Sequence, residues 1–192
     1  LGGDVPAAEA TARFMDVAAP VAARLSAFPK PTIAAVNGLA LAGGLEMVLN
    51  CDLAMAASSA RFGDAHANYG LIPGGGSSVK LPKRIGTSMA KYLIFSGDFV
   101  DAQTMRAAGL LLSVVEPERL EDAVQELALK LSEKSPLGLA RSKMLVDTGA
   151  ELPEAEAIAR EAALAIEQAG SRDAAEGMAA FMAKRKPSFS GA

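Results

Sequence analysis

The chain has 192 residues, of which 51% are hydrophobic and 21% charged, with a formal net charge of −3; this balance is typical of a folded globular protein and excludes a disordered chain. The acidic excess argues against a protein that binds nucleic acid through bulk positive charge, and no segment has the roughly 18 uninterrupted apolar residues of a membrane span, so neither partner is expected. The single cysteine, Cys51, excludes an internal disulfide and favours a reducing, cytoplasmic location.

The first half of the chain alternates predicted helices and strands. In chain order these are a helix over 6–28, a strand over 32–36, an extended piece and a helix within 39–50, a strand over 51–57 and a helix over 79–85. Pro20 is expected to kink or split the first helix, and Pro82 to interrupt the last, because proline lacks the N–H that a helix interior needs. The helix within 39–50 is expected to begin near Gly43 or Gly44.

The second half is predicted to be almost entirely helical. Its elements are helices over 87–97 and 101–109, a strand over 110–115, and helices over 117–134, 136–149, 152–170 and 171–186. Asp101 and Gly109 have the residue types expected at the two ends of their helix. An α/β core followed by a helical region is the architecture that this order predicts, and the amphipathic helices offer surface for self-association.

The segment "ALAGGLE", residues 40–46, places a carboxylate beside two glycines at a helix start. Glycine leaves the backbone open to a ligand, and the first N–H groups of a helix have no partner within it. Such amides can stabilise a developing oxyanion, and Glu46, about one turn after Gly43, is placed to act as a general base. The alternative is a glutamate that only stabilises the start of its own helix.

Four stretches resemble the enoyl-CoA hydratase/isomerase, or crotonase, superfamily. They are "LGGDV", "KPTIAAVNGLALAGGLEMVLNCDLAMAASSARFGDAHANYGLIPGGGSS", "SGDFVDAQTMRAAGLLLSVVEPERL" and "EGMAAFMAKRKPSF". The resemblance covers the whole chain and implies the ClpP/crotonase fold, an α/β core of repeated ββα units followed by a C-terminal helical region. It implies a core over 1–116 that lacks the family's first strands before Leu1, and a helical trimerisation region over 117–192.

The resemblance also implies a set of catalytic positions. The backbone N–H groups of Leu1 and Gly43 match the family's oxyanion hole, which holds the thioester oxygen of an acyl-CoA and stabilises an enolate. Glu46 matches the first of two catalytic glutamates, whereas His66 stands where the second is usual. An imidazole can donate or accept a proton near neutral pH, so His66 becomes the second candidate catalytic group. Its neighbour Asp64 either orients the ring or, the interpretation slightly favoured, caps the next helix.

Further positions are implied to contact the substrate: Gly3, Asp4, Leu39, Leu41, Tyr69, Pro73 and Gly74. For the two leucines and the tyrosine, a place in the core is the alternative, and for the glycine-rich loop a plain turn before a helix. No metal site is predicted, because a single histidine and scattered carboxylates do not provide the spacing of ligands.

The function implied is that of a hydratase, a lyase that adds water to a 2-enoyl-CoA. Within the family the alternatives are a double-bond isomerase, a decarboxylase or a thioester hydrolase, and outside catalysis a protein that only binds CoA or RNA. No separate cofactor is expected, since coenzyme A is part of the acyl-CoA substrate. The chain is expected to assemble with copies of itself into a homotrimer or a dimer of trimers.

Overall fold

Two small sheets and the helices around them form the first part of the computed structural model, which describes residues 6–192. The strands are β1 (Ile33–Val36), β2 (Leu39–Leu41), β3 (Leu53–Ala57), β4 (Arg61–Gly63), β5 (Val100–Asp101) and β6 (Ser113–Val115). The α-helices are α1 (Ala7–Ser26), α2 (Gly43–Leu49), α3 (Ser77–Ile85), α4 (Thr87–Ser96), α5 (Ala102–Ala107), α6 (Leu120–Ser132), α7 (Pro136–Gly149), α8 (Glu154–Ala169) and α9 (Arg172–Met182). A 3₁₀ turn spans His66–Tyr69 and another spans Pro117–Arg119.

Each sheet has three strands. The first has the order β1-β3-β6 and is parallel, with Ile33 opposite Leu53 and Met55 opposite Ser113. The second has the order β2-β4-β5, in which β2 and β4 run parallel with Leu41 opposite Gly63, and β5 is antiparallel to β4. Because β2 and β4 are parallel, the segments that follow them leave the sheet at the same edge.

A continuous apolar core packs between these sheets and α2, α3, α4 and α5. Its largest fully buried hydrophobic side chains are Phe62, Leu45, Leu81, Leu93 and Met105. Each contributes about 1.5 to 3 kcal/mol through burial of its apolar surface. Leu45 precedes Glu46 and Phe62 precedes Gly63, so the core fixes the backbone on which the candidate site is built.

Contacts within the chain define two compact units, one made of residues up to Phe28 with Thr32–Val124, the other of Pro29–Pro31 with Gln125–Ala192. In the second unit the C-terminal residues are held against α9. The buried carboxylate of Asp173 accepts hydrogen bonds from the Ser135 hydroxyl (2.5 Å) and the Ser190 N–H (2.8 Å). These bonds, the Ser135 hydroxyl foremost, lower the pKa of Asp173. The predicted boundary after residue 116 and the trimerisation role of the helical region stay predictions.

The predicted elements are largely present, with two corrections at proline. α1 runs as one helix through Pro20, and α3 runs through Pro82, so neither proline splits its helix. The φ angle of proline is itself helical, and the cost is limited to a lost hydrogen bond and local crowding. Among the described residues, no helix combines the length and the apolar character needed to cross a membrane.

Candidate active site

The candidate site lies where β2 and β4 end. β2 leads into Ala42 and α2, and β4 leads into Asp64 and the 3₁₀ turn that begins at His66. The Ala42 N–H donates to the Gly63 carbonyl over 3.0 Å, which joins the two exits directly. The parallel register therefore brings the segment of Glu46 and the segment of His66 to one edge of the sheet.

The backbone at the start of α2 is strained and open. Ala42 has φ 48° and ψ −117°, a conformation that a side chain disfavours, and α2 begins at the next residue. Within residues 6–192, no acceptor receives the Gly43 N–H, and a Cβ added to Gly43 would meet no atom within 4 Å. The predicted helix start is thus confirmed, and the Gly43 N–H has no acceptor among the described residues.

Glu46 is held by backbone N–H groups in the loop before α3 and at the start of that helix. Only 8% of the residue is exposed, and its Oε1 accepts hydrogen bonds from the Gly75 N–H (2.6 Å) and, more weakly, the Ser77 N–H (3.4 Å). Hydrogen bonds from the described residues do not reach Oε2. The two backbone donors fix the orientation of the carboxylate and leave Oε2 as its oxygen for a ligand. The alternative that Glu46 merely stabilises its own helix start does not account for these contacts.

Gly75 allows this close approach. A Cβ at residue 75 would lie 2.5 Å from Oε2 and 2.8 Å from Cδ of Glu46, well inside van der Waals contact. The backbone of the glycine-rich loop can therefore approach the carboxylate only because residue 75 has no side chain. The loop is more than a plain turn before α3, because it orients a candidate catalytic group.

Asn50 ties the far end of α2 to its neighbours. Its Nδ2 donates to the Glu46 carbonyl over 2.7 Å, and its Oδ1 accepts from Lys80 Nζ in α3 over 2.5 Å and from the Ser26 hydroxyl in α1 over 2.7 Å. The Asn50–Lys80 hydrogen bond and the contacts of the Glu46 carboxylate together connect α2 to α3 and the loop before it.

His66 is paired with a buried carboxylate. Its Nδ1 lies 2.9 Å from Oδ1 of Asp64, whose side chain is fully buried, while 15% of the His66 side chain is exposed. Asp64 does not cap the 3₁₀ turn, since Ala65 holds the cap position and no side-chain hydrogen bond is made there. The slightly favoured interpretation of Asp64 as a cap is wrong, because its carboxylate turns towards the imidazole instead.

The predicted substrate-contacting residues that the structure describes lie in two regions, one in β2 and one from Tyr69 to Gly74. Tyr69 is 79% exposed and Leu39 73% exposed, so neither belongs to the core, and Leu41 is half-buried. Leu39 lines a groove of about 260 Å³ between β1, β2 and α2, which neither Glu46 nor His66 lines. Tyr69 belongs instead to the loop that leads towards Glu46.

The loop after His66 presents a second apolar surface. Tyr69, Leu71 and Ile72 are exposed there, followed by half-buried Pro73 and exposed Gly74. A Cβ at Gly74 would lie 3.3 Å from Sδ of Met15, so α1 approaches the loop at this point. This surface can receive an apolar ligand chain.

Three predicted positions, Leu1, Gly3 and Asp4, lie outside the described residues. Within the described part of the chain, His, Cys, Asp and Glu side chains do not form a group of three that could hold a metal ion. Sequence reasoning missed the role of Gly75, whose signal was its place in the run "GGG", and the strained turn at Ala65, which the sequence does not mark.

Comparison with known proteins identifies the family. A family model for enoyl-CoA hydratase/isomerase matches residues 6–192. The chain belongs to the enoyl-CoA hydratase/isomerase family. The resemblance of the three stretches within residues 6–192 is thereby confirmed, as is the crotonase fold, whereas that of "LGGDV" stays a prediction.

Relatives within the enoyl-CoA hydratase/isomerase family include mitochondrial methylglutaconyl-CoA hydratase of Mus musculus, 40% identical over 167 residues, which are 85% of this chain and 53% of that protein. The 2,3-dehydroadipyl-CoA hydratase of Escherichia coli is 38% identical over 88% of this chain and 66% of its own length. An enoyl-CoA hydratase crystal structure from Bacillus anthracis superposes with a TM-score of 0.95 at 31% identity, covering 98% of this chain and 73% of that one. The chain spans about half the length of the first curated relatives it matches.

Proposed function

We propose that the protein adds water to the double bond of a 2-enoyl-CoA thioester. The observation that carries this proposal is the pair of proton-transfer groups at one sheet edge, Glu46 and His66, beside the unpartnered Gly43 amide. Family membership supplies the acyl-CoA, and relatives named as hydratases support the reaction type.

The thioester oxygen is proposed to bind at the Gly43 N–H, with the second donor expected at Leu1. Addition of water to the double bond passes through an enolate, whose negative charge develops on that oxygen. Each preorganised N–H donor stabilises such a charge by roughly 3 kcal/mol of activation free energy. The absence of a side chain at Gly43 leaves its backbone accessible to such a ligand.

The two side chains divide the proton transfers. Oε2 of Glu46 removes a proton from water while the oxygen bonds to Cβ of the substrate, and the protonated His66 delivers a proton to Cα as the enolate collapses. One water is consumed, and its oxygen and one of its hydrogens become the hydroxyl group on Cβ. After the addition Glu46 carries one proton more and His66 one fewer, and release of the first to solvent and uptake of another by His66 restore the site before the next turnover.

Hydration is tested with the full-length protein and crotonyl-CoA, by following the absorbance of the conjugated thioester. Glu46→Gln should lower kcat by about 10²- to 10⁴-fold, the usual contribution of a general base. Glu121→Gln, the same change at an exposed glutamate in α6, is the matched control and should leave kcat unchanged. Equal rates for wild type and Glu46→Gln would refute the proposal.

Another acyl-CoA reaction is the second candidate, favoured by the imidazole at the position where the hydratases of the family usually have a glutamate. The product separates the two. A 3-hydroxyacyl-CoA product supports hydration. A shifted double bond supports an isomerase, release of carbon dioxide a decarboxylase, and free CoA a thioester hydrolase.

We also propose that the protein is a homotrimer or a dimer of trimers. Large apolar side chains lie exposed on α8 and α9, namely Ile158, Ile166, Met178, Phe181 and Met182, and a second copy of the chain is a partner of matching chemistry. Sedimentation velocity should give three or six times the mass of one chain, and a monomer at micromolar concentration would refute this. A cytoplasmic location stays a prediction, because relatives include proteins named as mitochondrial.

A further inference from the structure

The carboxylate of Asp64 has a single protein partner within residues 6–192. Its Oδ1 contacts Nδ1 of His66, whereas Oδ2 is buried and has no hydrogen-bond partner among those residues. A fully buried carboxylate with one hydrogen-bond partner has its strongest electrostatic interaction with that partner. In this site that group is the imidazole of His66.

The backbone between the two residues is strained in a way that produces this contact. Ala65 is buried and has φ 63° and ψ −13°, in the left-handed region that an alanine rarely adopts. The turn brings residue 66 back against residue 64, two positions earlier. Strain of this kind persists where the surrounding structure requires a fixed geometry, and it occurs most often at functional sites.

The backbone turn that carries the ring is also held by hydrogen bonds. The Leu71 N–H donates to the His66 carbonyl over 3.0 Å, and Asn68 Nδ2 donates to the Gly97 carbonyl at the end of α4 over 2.9 Å. The 3₁₀ turn that carries His66 is thus fixed at both ends. Because Nδ1 is occupied by Asp64, Nε2 is the ring atom left for a ligand.

We propose that Asp64 is a positioning residue that holds neutral His66 as its Nδ1–H tautomer and stabilises the imidazolium when Nε2 is protonated. An ionised carboxylate only accepts hydrogen bonds, so its contact requires a hydrogen on Nδ1 and leaves the lone pair of Nε2 as the atom that takes up and releases the proton. The destination of that proton, Cα of the enoyl-CoA, rests on the proposed function, whereas the tautomer does not.

Asp64→Asn removes the carboxylate that favours the Nδ1–H tautomer of His66. An amide offers Nδ1 either an oxygen or an N–H, and since Oδ2 of Asp64 has no partner, nothing among the described residues fixes which of the two turns towards the ring. The tautomer with hydrogen on Nε2, which cannot accept a proton there, then becomes populated.

The test reads the tautomer by long-range ¹H–¹⁵N correlation of the ¹⁵N-labelled full chain at alkaline pH. The imidazole signals of His66 are assigned by their loss in His66→Gln. In the wild type we expect Nδ1 to show the shift of a protonated ring nitrogen and Nε2 that of an unprotonated one. In Asp64→Asn the two shifts should move towards each other, while Asp122→Asn, an exposed aspartate in α6, should leave them unchanged.

Kinetics provide the second readout. Asp64→Asn should lower kcat for crotonyl-CoA by about 10²-fold or more, with KM changed by less than about threefold, because substrate binding does not need the tautomer. A wild-type spectrum with hydrogen on Nε2 overturns the inference, and so does an Asp64→Asn variant with the wild-type tautomer and kcat. If Asp64→Asn does not fold, the wild-type spectrum alone decides.

The outcomes separate this inference from the proposed function. A wild-type Nδ1–H tautomer without turnover of crotonyl-CoA would support the pairing and refute hydration of that substrate. Turnover with hydrogen on Nε2 would leave the hydratase proposal in place and refute the role of Asp64.

Discussion

The contact between Gly75 and Glu46 makes Gly75→Ala a direct test of the site geometry. The added Cβ would lie 2.5 Å from Oε2, whereas ordinary contacts begin at 3.4 Å, so the carboxylate or the loop must move by about 0.9 Å. Glu46 is buried against the core at Leu45 and Val48, which limits how far its backbone can yield. The displacement therefore falls mainly on the carboxylate and on its hydrogen bond from the Gly75 N–H.

The size of the effect follows from these distances. A hydrogen bond to a charged group contributes about 1.5 to 3 kcal/mol, so weakening the 2.6 Å bond from Gly75 should lower the free energy of unfolding by about 2 kcal/mol. A displacement of about 1 Å at a catalytic group costs on the order of 10²-fold in rate. We expect a loss of this order in kcat for crotonyl-CoA.

The assay combines urea unfolding with the hydration rate. Gly38→Ala is the matched control, since its Cβ would meet no atom within 4 Å, and it should change neither quantity. In a Glu46→Ala background the new methyl group has no carboxylate to displace, so Gly75→Ala should there cost little stability. If Gly75→Ala keeps wild-type kcat, or destabilises both backgrounds equally, the reasoning from this contact is wrong.

Two further changes test strain and charge elsewhere in the chain. Ala42→Gly should raise the free energy of unfolding by about 1 kcal/mol, since relief of the strain at φ 48° exceeds the entropy cost of glycine; a loss of stability in chemical denaturation would contradict this. Arg185 foremost, and then the Ser188 N–H, lower the pKa of Glu176 from 4.5 to about 2, so these contacts stabilise the fold fully above pH 4.5 and are lost as the pH falls from there towards 2. The dependence of the unfolding free energy on pH between 4.5 and 2.5 should be shallower in Glu176→Gln, and an unchanged slope would rule these contacts out as its source.

The helices and most strands follow from local sequence patterns. α2 begins at Gly43, as the glycine pair predicts, and the Asp101 side chain caps α5 by accepting from the Thr104 N–H over 2.7 Å. β4 and β5 were not predicted, because strands of three and two residues carry too little periodicity to be recognised and form only through pairing with β2 and with each other.

The site is less visible in the sequence than the fold. Glu46 and His66 emerge from the resemblance of their segments to a family. Gly75, the partner of Glu46, does not, and Asp64 emerges only as one of two alternatives, because a hydrogen bond across 29 residues and a left-handed alanine depend on tertiary structure that no local pattern encodes. Asp64 lies two residues before His66 in the sequence, but the carboxylate contacts the ring because of the left-handed turn at Ala65.

The links at both ends of α2 bear on how this protein can change during evolution. A shift of the start of α3 would reach Glu46 through the Ser77 N–H, and a substitution of Lys80 would remove its hydrogen bond to Asn50. α1 has no fully buried residue, and Phe14 and Val17 on it are exposed, so it tolerates drift. Substitutions in α1 near Met15 would therefore alter the surroundings of Gly74 while the contacts of Glu46 and His66 are left unchanged.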